Sequence, residues 1–193
     1  NALIKKNLNY FTENNQTKCF IYIVRDPRSV VLSSKDHYGF KSYEEAVDVI
    51  ISDKWMSYVT ENPKLLPEFI LSWKTNYLSW QNYYAKNKDK GIILRYEDLV
   101  NNPEQTYLLL IKFLKNHLKF SINIDKFNNS LKSISFNRLQ KMEAEKGFDE
   151  KSKKTNTFFR KGKTKEWEKS LNVDLVNKIN NNFKKEMIYL NYI

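Results

Sequence analysis

The sequence predicts an α/β fold, a parallel sheet flanked by helices, on three observations. An apolar run, Phe20-Ile21-Tyr22-Ile23-Val24, stops abruptly at Arg25, and a helix start follows at once. A second short run, Gly91 to Arg95, ends the same way before Tyr96. Between and after these runs, apolar residues recur at helical spacing. Alternation of strand and helix argues for parallel strands with helices around them.

The elements follow in chain order. Residues 1 to about 14 read as the tail of a helix, from Leu3, Ile4, Leu8 and Phe11. A strand is expected over residues 18 to 24, bulky and β-favouring as burial on both faces requires. Its single cysteine, Cys19, reads as a small buried apolar residue. Asp26 can cap the next helix, over residues 27 to 37, and Pro27 suits its first position. Ser42 and Glu45 form a capping box for a helix with Ala46, Val47, Ile50 and Ile51. Residues 68 to 86 make the clearest amphipathic helix, through Phe69, Leu71, Trp73, Tyr77, Trp80 and Tyr84. A strand over residues 91 to 95 precedes a helix from Pro103 to Asn116. One helical stretch covers roughly 123 to 146. Residues 147 to 165 are polar and aperiodic and read as a loop, and a last helix runs near 172 to 190.

No repeat or linker divides the chain, so its 193 residues read as a single domain, 1–193. The formal charge of +11 favours anionic partners, although most of the 33 Lys and Arg must be plain surface. No nucleic-acid-binding signature stands out. The two histidines, His37 and His117, are eighty residues apart and the cysteine is alone, so no metal site is expected. No apolar run approaches a membrane span and no secretory signal is visible, so a cytoplasmic location is the default expectation.

The chemistry concentrates at two places. Arg25 falls at the carboxyl end of a strand and beside a helix N-terminus, where open α/β sheets bind ligands and backbone amides favour an anion. Ser33 lies further along the same helix. The plain alternative for Arg25 is a structural pair with Asp26. The second place is Thr157-Phe158-Phe159-Arg160-Lys161-Gly162, with Trp167 following. It offers two cations, a residue without Cβ that lets backbone amides approach a phosphate, and aromatic flanks. Trp167 reads as an anchor on the core. Phe158 or Phe159 is the candidate to line a nucleotide.

Taken together, these segments resemble the sulfotransferase family that uses 3′-phosphoadenosine-5′-phosphosulfate (PAPS). Arg25 followed eight residues later by Ser33 is similar to that family's 3′-phosphate motif. Arg160-Lys161-Gly162 with Trp167 is similar to its Arg-Lys-Gly…Trp loop, and Tyr96-Glu97-Asp98 to its Tyr-Glu-Asp segment. The resemblance implies a P-loop-NTPase-like sulfotransferase fold. It implies PAPS, or its product 3′,5′-diphosphoadenosine (PAP), as cofactor and partner. It also implies a sulfuryl transfer to a hydroxyl or amine acceptor, whose identity the chain does not reveal. The cofactor-binding set it suggests is Arg25, Ser33, Tyr96, Phe136, Phe158, Phe159, Arg160, Lys161 and Gly162. Tyr96 and Phe136 enter as adenine contacts. Tyr96 reads equally as core, and Ile134 departs from the hydroxyl often found before the family's Phe.

The resemblance covers one half of the family's machinery. No residue in this chain is expected to be catalytic. The family's His base and its phosphosulfate loop are expected before Asn1, as are the further strands that a two-stranded sheet needs. The chain alone is then inactive. The family's dimer motif would fall across Glu168, Asn172, Val173 and Asn177, where only Val173 agrees. A non-catalytic nucleotide-binding module, or less readily a basic nucleic-acid-binding protein, is the rival reading.

Overall fold

The computed structural model describes residues 5–6, 9–10, 17–57, 68–149, 157–159 and 162–193. Its centre is a parallel pair of strands, β3 (Phe20–Val24) and β6 (Gly91–Arg95), after two short antiparallel pieces, β1 (Lys5–Lys6) and β2 (Asn9–Tyr10). The register sets Phe20 opposite Gly91 and Val24 opposite Arg95, so Arg25 and Tyr96 leave the sheet side by side. Gly91 is required by that pairing, because a Cβ there would fall 2.2 Å from the Phe20 ring.

Helix α1 (Pro27–Tyr38) follows β3 directly. Asp26 caps it by accepting the Arg28 amide, Pro27 occupies its first turn, and Gly39 closes it in the left-handed region. Helix α2 (Tyr43–Ile51) is capped by Ser42, whose hydroxyl accepts the Glu45 amide at 3.2 Å. The Glu45 carboxylate reaches back to the Lys41 amide at 2.7 Å. Helix α3 (Trp73–Lys86), β6 and α4 (Tyr96–Asn101) complete the first half. They are followed by α5 (Pro103–Leu118), α6 (Ile124–Ser133), α7 (Phe136–Lys146), α8 (Trp167–Ser170) and α9 (Val173–Tyr189). A small antiparallel pair, β4 (Met56–Ser57) with β5 (Glu68–Phe69), precedes α3.

The largest core lies among α1, α2 and α9. It buries Val31, Ala46, Val47, Ile50, Ile179 and Phe183, with Trp167 packed at its edge. A second layer sets α3 against β3. Phe20 and Tyr22 contact Trp80 at 5.3 and 5.7 Å between ring centroids, and Tyr77 is fully buried beside Val24. Hydrogen bonds join the same layers: the Tyr22 hydroxyl donates to Asn76 Oδ1 and Trp73 Nε1 donates to the Arg25 carbonyl, both at 2.9 Å.

Several expectations need correction. Residues 5–6 and 9–10 pair as antiparallel strands, not as a helix tail; the rest of the stretch from 1 to 14 lies outside the described residues. The strand begins at Phe20, leaving Cys19 half-buried before it. Among the described residues one face of β3 is left open, with Ile21 and Ile23 40% and 50% exposed. The third helix starts at Trp73 and not at residue 68. Leu71 sits at φ 62°, which no helix continues through, and Ser72 caps from the Thr75 amide. The stretch from 123 to 146 is two helices broken at Ile134-Ser135. Ser130 and Ser133 donate back to carbonyls of their own helix there, a habit that loosens helix ends.

Candidate functional site

The parallel register and the start of α1 build one wall of a cavity of about 490 Å³ at the carboxyl ends of β3 and β6. Arg25 Nη1 donates to Ser33 Oγ at 2.9 Å, a bond made possible because Ser33 lies two turns along α1, on the side facing the strand end. The Arg25 guanidinium stacks over the Tyr96 ring at 4.4 Å. Arg25 Nε is buried without a hydrogen-bond partner among the described residues. Ser33 accepts from arginine, so its own proton remains for another acceptor. Arginine donors and a hydroxyl aimed into one cavity suit an anion with several oxygens.

Asp26 does not pair with Arg25. Its carboxylate takes Arg28 instead, through Nε at 2.9 Å and Nη2 at 2.7 Å, and also caps the Arg28 amide. The helix N-terminus is therefore filled by the protein's own carboxylate. The anion-suited donors lie further along, at Arg25 and Ser33. The cap at Asp26 is the one the sequence leads one to expect.

Aromatic residues form much of the rest of the cavity. Phe136 opens α7 and lies against Gly162, where a Cβ would fall 2.4 Å from the ring and where φ is +60°. Phe158 and Phe159 stand together with Phe148 as a ring cluster, with centroids 4.6 to 5.2 Å apart. The cavity thus brings together Arg25, Ser33, Tyr96, Phe136, Phe158, Phe159 and Gly162. Arg160 and Lys161 lie outside the described residues. Asp36, His37 and Tyr38, from the end of α1, also line the cavity, as do Lys163 and Glu166.

A buried polar network holds this wall. Glu97 Oε1 accepts the Asp26 amide at 3.1 Å, tying the end of β3 to the start of α4. Its other oxygen accepts the Tyr192 hydroxyl at 2.9 Å. Arg28 Nη2 donates to the Tyr192 carbonyl at 2.8 Å, and the Arg28 guanidinium lies 3.8 Å over Trp167. Trp167 is the anchor that the sequence suggests. Burial, and then the Glu97 carboxylate, push the Tyr192 phenol far above the ordinary tyrosine range.

A family profile described as the sulfotransferase domain matches residues 6–190. The chain belongs to the sulfotransferase family. Its fold agrees with solved sulfotransferase structures. A mouse sulfotransferase, SULT7A1, complexed with PAP superposes with a TM-score of 0.64 at 18% identity, covering 88% of this chain and 58% of that one. Retinol dehydratase in a complex with retinol and PAP superposes at 0.62 and 15% identity, over 88% of this chain and 47% of its own. The same figures hold for retinol dehydratase with androsterone and inactive PAP. This sulfotransferase-family chain spans about half the length of the structures it matches. No curated protein matches it.

Sequence reasoning missed Glu97 and Tyr192, which brace the strand ends, and Gln140 and Glu143 on α7. Gln140 Nε2 donates to the Phe159 carbonyl at 2.8 Å. Glu143 accepts the Phe158 and Phe159 amides at 2.6 and 2.9 Å. Their spacing from Phe136, four and seven residues, was the available signal, because those positions share one helix face. Among the described residues no helix is long and apolar enough to cross a membrane, and no group of three His, Cys, Asp or Glu could hold a metal.

Proposed function

We propose that this chain forms the 3′-phosphate- and adenine-binding part of a PAPS-dependent sulfotransferase acting on a hydroxyl or amine of a small-molecule acceptor in the cytoplasm. The observation that carries this reading is the Arg25–Ser33 pair at the cavity wall, with Arg25 Nε buried and unpartnered among the described residues. The PAP named with the solved neighbours supports it too. PAPS, when bound, supplies the sulfuryl group.

The residues present fit such a nucleotide. Arg25 turns free donors toward the 3′-phosphate while Nη1 stays fixed on Ser33. The Tyr96 ring beneath the guanidinium keeps it in that plane, and Ser33 adds its hydroxyl proton. Phe136, Phe158 and Phe159 offer faces and edges for adenine, which stacks on aromatic surface at little conformational cost. Arg160, Lys161 and Gly162 join this reading as phosphate contacts on their sequence motif alone. His37 lines the cavity, yet no catalytic base is assigned within residues 1–193, and the chain alone is expected to leave PAPS intact in a transfer assay. Sulfated product lost in an Arg25→Ala variant would overturn that expectation.

Titration calorimetry tests the binding reading. Arg25→Ala should weaken PAP by about ten- to a hundredfold, the scale of a lost charge-assisted hydrogen bond, and leave adenosine nearly unchanged. Equal weakening of both ligands, or no PAP binding by the unaltered chain, contradicts it.

A further inference from the structure

We propose that one face of α7 is the holder of the aromatic loop, and that Glu143 is a positioning residue for the nucleotide site. The inference rests on the reading that the cavity takes PAP. Phe136, Gln140 and Glu143 follow one another at intervals of four and three residues, so they form a single stripe along the helix. All three meet the segment from residue 157 onward.

The contacts are specific. Both Glu143 oxygens are used on consecutive backbone amides, those of Phe158 and Phe159. Gln140 takes the Phe159 carbonyl. Thus α7 holds three of the four backbone polar groups of this dipeptide. Glu143 is only 9% exposed. A carboxylate so far from water is costly unless its oxygens are satisfied, and paired amides satisfy them. Only a carboxylate can accept from both. A glutamine in its place would turn an N–H toward one of the two donors.

Glu143 does not line the cavity, whereas Phe158 and Phe159 do. It acts through the rings it orients. Clipping the two amides fixes the backbone at 158–159, and Phe148, just beyond the end of α7, packs on both rings. Phe136 at the start of the stripe meets Gly162. Without this stripe, a polar segment with little apolar surface to bury has no evident reason to present two phenylalanines to the cavity.

The test combines amide hydrogen exchange and calorimetry on the 193-residue chain. The Phe158 and Phe159 amides should be protected without ligand, and Glu143→Gln should remove most of that protection. The core amide of Val31 should stay protected, showing that the fold survives. Glu143→Gln should weaken PAP and adenosine by the same factor, about tenfold, because the adenine wall is common to both. Glu143→Asp, which keeps two oxygens on a shorter arm, should restore part of the affinity. Should Glu143→Gln fail to fold, Gln140→Ala removes the carbonyl contact alone and should show a smaller loss of the same pattern. Unchanged exchange at 158 and 159, or unchanged affinity for both ligands, overturns the inference. Failure of the unaltered chain to bind either ligand would count against the nucleotide reading, and the exchange data would then decide the loop-holding role by themselves.

Discussion

Arg25 is constrained from two sides at once. Ser33 holds one nitrogen and the Tyr96 ring lies under the guanidinium plane, while Nε is left without a partner among the described residues. Such an arrangement makes sense for a group that completes its bonds on a ligand, because a buried unpaired donor is costly otherwise. Gly162 is constrained in the opposite way, by what it lacks. Its φ of +60° and the 2.4 Å approach of the Phe136 ring leave no room for a Cβ. Gly162→Ala should therefore cost about 1–2 kcal/mol from the left-handed backbone alone, with more if Phe136 is displaced. Chemical denaturation should show a lower midpoint at an unchanged slope. An unaltered midpoint would mean that the loop relaxes freely around the new methyl.

Among the elements, the strand pair does most to assemble the site. Register matters here: Gly91 faces Phe20, and only that pairing brings Arg25 beside Tyr96. Gly91→Ala should push the Phe20 ring off Trp80 and Tyr83 and destabilise the chain by about 1–3 kcal/mol. The same variant should weaken PAP, since the strand ends carry the site. Thermal unfolding and calorimetry read the two effects separately, and full retention of both would contradict the role given to the register.

The strand ends and the caps at Asp26 and Ser42 were legible because each is encoded locally. Apolar runs, capping residues and short motifs need only a few neighbours to be recognised. The break at Ile134-Ser135 and the start of α3 at Trp73 were not, since helical spacing persists across both while serine back-bonding and the left-handed Leu71 decide the boundary. The plain alternative, an Arg25–Asp26 pair, does not form, because Arg28 is the arginine that the helix brings beside Asp26. Glu143 could not be assigned from its neighbours, as its partners lie fifteen and sixteen residues away.

At the scale of the molecule, the C-terminal residues are joined to the site through buried groups. Tyr192 bonds Glu97, and its carbonyl bonds Arg28, which lies over Trp167. Burial raises the Tyr22 and Tyr192 phenols far above the ordinary range and pushes Tyr77 up to about 12. A raised phenol holds its proton more tightly in the folded chain. Stability from these groups is whole below the unfolded tyrosine value of about 10, and declines as pH rises through the folded values. Melting temperature should thus fall steadily above about pH 10. Tyr192→Phe should flatten that decline while lowering stability at neutral pH through the lost bond to Glu97. An identical alkaline profile in the variant would remove Tyr192 from the account.

The central claim is that the Arg25–Ser33 pair and the aromatic cavity take the 3′-phosphate and adenine of one nucleotide. A crystal structure of this chain with PAP tests it most directly. A 3′-phosphate oxygen should lie within hydrogen-bonding distance of Arg25 Nε and Ser33 Oγ, with adenine against Phe136 and the Phe158–Phe159 pair. PAP bound elsewhere, for example against Arg28 and Arg95 with Arg25 untouched, would contradict it.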